Sequence, residues 1–309
     1  MQLMKKTILL FIAILLNASE PISPIPTTVD VNMEKALLGK ELFFDTILSR
    51  DNSTSCFTCH DIYNGGADNK VFSLGFDGNE GDINSPTVLN SRYNFVQFWN
   101  GRAKDLYEQA DGPLQNPVEH NMDKITVERV LNNSNEYKAK FKKVYNKNNI
   151  IYADVIDAIV EFEHALITPN AKFDKYLRGE INLTNEEKEG YKLFKQYGCV
   201  TCHNGINIGG NAFQKMGTFF PYRTPRDYPD KKSLTNKLED KNVFKVPTLR
   251  NIALTAPYFH DGATSSLGEA IRLMSFYNLG INMPKEDIDK IIIFLETLTG
   301  ESPKILGMP

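Results

Sequence analysis

Apolar residues recur at helical spacing along much of the chain and alternate at strand spacing almost nowhere, so a mainly α fold is expected. Val155, Ile156, Ile159, Val160 and Phe162 lay an apolar stripe along Ala153 to Ile167, broad enough for a buried helix. Val127, Val130, Leu131, Tyr137, Phe141 and Val144 point one way through the otherwise polar stretch from Thr126 to Tyr145, which reads as one long helix. Thr184 with Glu187 forms a capping box opening a helix that runs to Gly198, and Ser266 with Glu269 opens another through Met274. Pro284 precedes a late helix from Ile288 to Leu298. The segment from Thr168 to Thr184 suits a domain boundary, and Thr218 to Asn242, rich in Pro, Lys and Asp, reads as a long loop.

The chain has 309 residues, room for about two domains. Its net charge of −3 is spread without like-charge blocks, which excludes the clustered basic surface of a nucleic-acid binder. Lys5 and Lys6, the apolar run Thr7 to Leu16 and the small residues at Ala18 and Ser19 read as a secretory signal peptide over residues 1–18. An exported protein normally oxidises its cysteines to disulfides. Here all four lie in two Cys-x-x-Cys-His motifs, Cys56-Phe57-Thr58-Cys59-His60 and Cys199-Val200-Thr201-Cys202-His203. A redox pair leaves the histidine after each second cysteine unexplained, and a zinc site does not account for export. Covalent attachment of two c-type haems explains both: paired thiols form the thioethers, and His60 and His203 coordinate the irons.

The motifs lie 143 residues apart, one to each expected half: 19–170 and 171–309. The segments Pro86–Leu106 and Pro247–Leu267 align without a gap at an offset of 161, with six identities: Pro86/Pro247, Thr87/Thr248, Asn90/Asn251, Phe98/Phe259, Gly101/Gly262 and Leu106/Leu267. Two homologous cytochrome c-like domains, each around one haem, are therefore expected. The sixth ligand separates an electron-transfer haem from one open to peroxide. In the second half Met274 is a candidate, with Met216 and Met283 as rivals. In the first half the repeat, with one gap, sets Leu114 opposite Met274, and leucine cannot bind iron. Gln109 and Glu119 lie nearby, an amide that can hold a peroxide and a carboxylate that can move its proton.

The residues Asn84 to Val88, Phe98 to Leu106, Glu108 to Ala110 and Asn116 to Glu119, with Pro247 to Asn251 and Thr255 to Gly262, resemble bacterial dihaem cytochrome c peroxidases. The resemblance spans Met33 to Pro303. It implies a periplasmic, usually homodimeric enzyme that reduces hydrogen peroxide with electrons from a small cytochrome c or a cupredoxin. It implies a peroxidatic haem on His60 and an electron-entry haem on His203 with Met274 as its sixth ligand. It also implies catalytic roles for Glu119 and Gln109, an interhaem electron path through Trp99, and a calcium site at Asn84 and the carbonyls of Thr255 and Pro257.

Two positions depart from the pattern. Phe76 stands where many members carry a histidine that blocks the oxidised peroxidatic iron, so that haem is expected to be open without reductive activation. His120 follows Glu119 where a methionine is usual; it would tune Glu119, bind the iron or point away, the last being the favoured expectation. His260 is expected beside the second haem, near a propionate. Two rival functions stand beside the peroxidase: a dihaem enzyme oxidising tryptophans of a partner protein, whose relatives carry tyrosine in place of the methionine ligand, and a non-catalytic electron-transfer cytochrome.

Overall fold

The structure is a computed structural model that describes residues 20–308; the expected signal peptide lies outside them. The protein is mainly helical, with a single two-stranded antiparallel sheet, Phe213–Lys215 against Val243–Lys245, among the described residues.

Each half is organised on a pair of crossing helices. In the first, Met33–Phe44 packs against Tyr152–Ala165; in the second, Asn185–Gln196 packs against Lys285–Glu296. Both crossings are set by a glycine. A Cβ on Gly39 would lie 1.9 Å from the Ala158 carbonyl oxygen, and one on Gly190 would lie 2.0 Å from that of Lys290. Any side chain at either place would push the helix axes apart. The same two glycines meet the Cβ atoms of Phe162 and Phe294, each at 3.0 Å, which fixes the register between the halves: Phe162 answers Phe294, and Glu163 answers Leu295.

The repeat seen in the sequence is a repeat in space. Asn90 and Asn251 have φ of 61° and 59°, Phe98 and Phe259 of 65° and 71°, Gly101 and Gly262 of 75° and 60°. The helices that follow, Leu106–Gln115 and Leu267–Leu279, start at matched positions and are capped by the side chains of Asp105 and Ser266. The halves also brace each other reciprocally. The backbone N–H of Asn84 donates to the His260 carbonyl at 2.9 Å, and that of Lys245 donates to the Trp99 carbonyl at 2.7 Å. The offset of 161 carries Asn84 to Lys245 and Trp99 to His260. An exchange of equivalent bonds between equivalent residues is the mark of a two-fold relation.

Several sequence expectations are corrected. The stretch from Thr126 to Tyr145 is two helices, Lys124–Asn133 and Asn135–Tyr145. Ser134 breaks it: extended in backbone, it accepts a hydrogen bond on its hydroxyl from the Tyr137 N–H and so opens the second helix. The helix opened by Thr184 stops at Gln196, and the one holding Met274 runs on to Leu279. The expected loop at Thr218 to Asn242 contains two short helical turns, Lys232–Thr235 and Leu238–Asp240. The chain ends cross between halves. Ile22 packs in the second core beside Phe173 and Phe294, while Ile305 packs in the first beside Phe43 and Phe162. A fully buried pair, Arg250 with Asp174 at 2.6 Å, secures the leading segment, since Arg250 also donates to the Ser23 carbonyl and Asp174 accepts from the Ile25 N–H. The further hydrogen bonds of Arg250 and of Asp174 Oδ1 offset part of the cost of burying the pair, while Asp174 Oδ2 has no partner.

Candidate active site

Cys56, Cys59 and His60 close a short helical turn whose start is held by a reciprocal Ser55–Thr58 cap. Cys199, Cys202 and His203 close the corresponding turn of the second half. The His60 ring nitrogen Nδ1 lies 3.2 Å from the Gly66 carbonyl, and that of His203 lies 3.4 Å from the Ile208 carbonyl. A carbonyl partner requires the proton on Nδ1 and leaves the Nε2 lone pair for a metal. Burial lowers both imidazoles, His203 to about 4, so each is neutral at physiological pH. Burial also pushes the thiols of Cys59 and Cys199 up to about 11. Among the described residues no three His, Cys, Asp or Glu side chains converge as metal ligands, so the zinc reading has no ligand set.

Each histidine looks into a large cavity. The second, about 1160 Å³, is lined by Cys199, His203 and Met274, among mostly apolar residues including Phe194, Ile271 and Leu295. The first has two adjoining parts, about 570 and 1630 Å³, which share Cys59, His60, Gln109 and Glu119. The paired thiols and the free imidazole nitrogen at the wall of each cavity fit a haem in each.

Of the rival methionines, Met216 sits in an aromatic cluster with Tyr222 and Phe244, whereas Met274 and Met283 both line the second cavity. Because Leu106–Gln115 and Leu267–Leu279 start in register, the residue opposite Met274 is Pro113 and no gap is needed. Pro113 and Leu114 both line the first cavity, and neither can bind iron.

Glu119 is fixed by the loop that leaves Leu106–Gln115. Asn116 caps that helix, its carbonyl accepts the Glu119 N–H at 3.1 Å, and its Nδ2 donates to Glu119 Oε1 at 2.6 Å. The Glu119 carbonyl accepts from the Phe76 N–H at 2.7 Å. Burial raises the Glu119 pKa, opposed by the Asn116 hydrogen bond and the Arg102 charge. Gln109, on the Leu106–Gln115 helix, lines the same cavity. Phe76 itself contributes its backbone; Gly75 is the neighbour that lines the cavity. His120 does not point away. It is buried, lines the first cavity and has Nδ1 3.1 Å from the Leu48 carbonyl, with burial lowering its pKa to about 4.

Trp99 lines the second cavity while its neighbours Phe98 and Asn100 line the first, and its indole N–H donates to the Asn84 carbonyl at 2.8 Å. Asn84, Thr255 and Pro257 share the wall of the second cavity. His260 is instead enclosed by aromatic rings, stacked on Phe244 at 4.2 Å and edge-on to Tyr228 at 5.0 Å, behind Trp99.

Sequence reasoning missed Glu163. It is 5% exposed, lines the first cavity, and its Oε2 has no hydrogen-bond partner. Its counterpart Leu295 lines the second cavity, so the carboxyl is a feature of one site only. Burial raises it from 4.5 to about 8. Between those values the unfolded chain ionises this group and the folded chain does not, so its contribution to stability is intact below pH 4.5 and is lost as pH rises toward 8. Glu163→Gln is expected to remove that slope, worth roughly 1.4 kcal/mol per pH unit. Urea midpoints of the two proteins at pH 5 and pH 8 measure it, and parallel pH dependences would reject the assignment.

Residues 33–182 match the family model described as Di-haem cytochrome c peroxidase. The chain is 47% identical over 287 residues to the cytochrome c551 peroxidase of Nitrosomonas europaea, covering 93% of this chain and 86% of that one. It is 40% identical to the cytochrome c551 peroxidase of Pseudomonas aeruginosa, over 93% of this chain and 87% of that one. Among solved structures, a MauG-like protein associated with microbial copper homeostasis superposes with a TM-score of 0.81 at 25% identity, covering 95% of this chain and 97% of that one. With two haem-attachment turns set in duplicate halves and relatives this similar along nearly its whole length, the chain belongs to the di-haem cytochrome c peroxidase family.

Proposed function

We propose that the protein is a periplasmic peroxidase that reduces hydrogen peroxide to two waters, drawing two electrons from a small cytochrome c or cupredoxin and two protons from solvent. One observation carries this reading: Glu119 and Gln109 share a cavity with Cys56, Cys59 and His60, and the helix position that supplies Met274 to the second cavity supplies only Pro113 and Leu114 to the first. A haem held by Cys56, Cys59 and His60, and one held by Cys199, Cys202, His203 and Met274, would supply the redox chemistry, the electrons that reduce the peroxide O–O bond. The chain supplies the rest. His60 and His203 offer Nε2, and Met274 offers its sulfur in the second half alone. Glu119 takes a proton from one peroxide oxygen and returns it to the other, which leaves as water. Gln109 orients the peroxide by hydrogen bonding. Trp99 bridges the cavities for electron passage.

Export by the signal peptide, a homodimeric state, and division into units 19–170 and 171–309 belong to the same proposal. So does a calcium ion held by the oxygens of Asn84, Thr255 and Pro257, a donor set suited to a hard cation. Met274 disfavours the reading as a modifier of partner tryptophans, and the Glu119–Gln109 pair disfavours a pure electron carrier. The test is turnover of peroxide by the fully oxidised protein, mixed with reduced cytochrome c without pre-reduction, alongside an EPR spectrum. One high-spin and one low-spin haem with immediate turnover are expected. Two low-spin haems and no turnover until pre-reduction would overturn the open first site.

A further inference from the structure

Lys245 ends the strand Val243–Lys245, where Phe244 and Val246 are buried on either side of it. Its backbone N–H is spent on the Trp99 carbonyl. The residue is 6% exposed and lines both cavities, the one with His203 and the larger part of the one with His60. No carboxylate or other acceptor on the described residues pairs with its ammonium. Burial alone displaces its pKa, to about 8, with no opposing charge from the chain. A buried cation left without a partner costs several kcal/mol, and proteins keep one only where something neutralises it. The repeat sharpens the point, because the equivalent position in the first half is the neutral Asn84, whose Nδ2 is satisfied by the Lys70 carbonyl.

We propose, on the reading that both haems are bound, that Lys245 is the shared counter-ion of the haem propionates where the two cavities meet. Haem carries its anions on the edge opposite the vinyl groups, and the walls of the first cavity follow that polarity at Cys56. Cys56 lines only the smaller part of the first cavity and Lys245 only the larger, with Cys59 and His60 between them in the walls of both. The placement makes Lys245 a positioning residue. Its charge would fix the facing edges of the two haems beside Trp99 and, as a cation on the wall of both cavities, would favour their reduced states.

Lys245→Met and Lys245→Gln remove the charge while the cysteines still attach haem, and Lys245→Arg keeps it. Haem content, read by pyridine haemochrome, reports whether the two-haem reading holds; spectroelectrochemical titration of the intact holoprotein reports on Lys245. Two haems per chain with reduction of at least one disfavoured about tenfold in the neutral variants, a fall of ~59 mV for one electron, and recovery in Lys245→Arg are expected. Wild-type potentials for both haems in a fully loaded neutral variant would overturn the proposal. If the neutral variants fail to accumulate, accumulation of Lys245→Arg with wild-type potentials supports it, and failure of all three assigns Lys245 to packing and overturns it. Fewer than two haems in the wild type would instead reject the reading beneath it.

Discussion

Glu119→Gln is expected to keep both haems attached and to lower peroxide turnover by about 10²–10⁴-fold, the range associated with a positioned acid–base. The substitution is nearly isosteric, and its amide oxygen can still accept from Asn116 Nδ2, the bond that now holds Oε1 at 2.6 Å. The loop is fixed independently by backbone bonds, the Glu119 N–H to Asn116 and the Phe76 N–H to the Glu119 carbonyl. What is lost is the ability to take a proton and give it back. The fall should therefore lie in kcat more than in KM, because peroxide can still be held through Gln109. Steady-state kinetics with reduced cytochrome c, beside a spectrum showing an unchanged pair of haems, measures it. Turnover within threefold of the wild type would remove Glu119 from the proposed acid–base role and return the site to an electron carrier.

What the sequence showed and what it hid follow from the range of the interactions involved. The haem turns were legible because thioether attachment needs two cysteines and a histidine at fixed local spacing, and the structure sets both turns in the walls of cavities. The helices opened at Thr184 and Ser266 were legible because their caps are local too. The break at Ser134 was not, because the apolar spacing of Val127, Leu131, Tyr137 and Phe141 runs through it. Glu163 was hidden by its own helix: among Ile159, Val160 and Phe162 a single carboxylate reads as a solvated edge. Only the glycine-set register that aligns Phe162 with Phe294 shows that it occupies an interior position. Lys245 lies in a strand of three residues, too short for alternation to show which side chains turn inward. His120 was misjudged for a related reason. Its direction is set by the Leu48 carbonyl, 72 residues away in the chain.

Met274→Leu is expected to turn the second site into a copy of the first. Leucine matches methionine closely in volume, an exchange that usually costs less than about 1.5 kcal/mol, so the Leu267–Leu279 helix and its packing should survive. The ligand set would not. With the sulfur gone, His203 would stand alone, as His60 does opposite Pro113 and Leu114. A high-spin signal should replace the low-spin one. The potential of that haem should fall by a substantial part of the ~0.8 V range that axial ligands span, since a thioether favours the reduced iron. Electrons from a donor would then no longer enter readily, and turnover with reduced cytochrome c should collapse although Glu119 and Gln109 are untouched. Potentiometry and EPR of the variant decide the matter. A low-spin second haem at wild-type potential would dismiss Met274 and pass the role to Met283, the other methionine lining that cavity. Met283 is 6% exposed and packed with Phe194 and Leu295 in the second core, whereas Met274 is only partly buried, carried on the helix whose repeat partner bears Pro113 and Leu114. The asymmetry between the sites thus rests on a side chain that the fold leaves free to offer its sulfur to an iron, at the position where the other half has no ligand to offer.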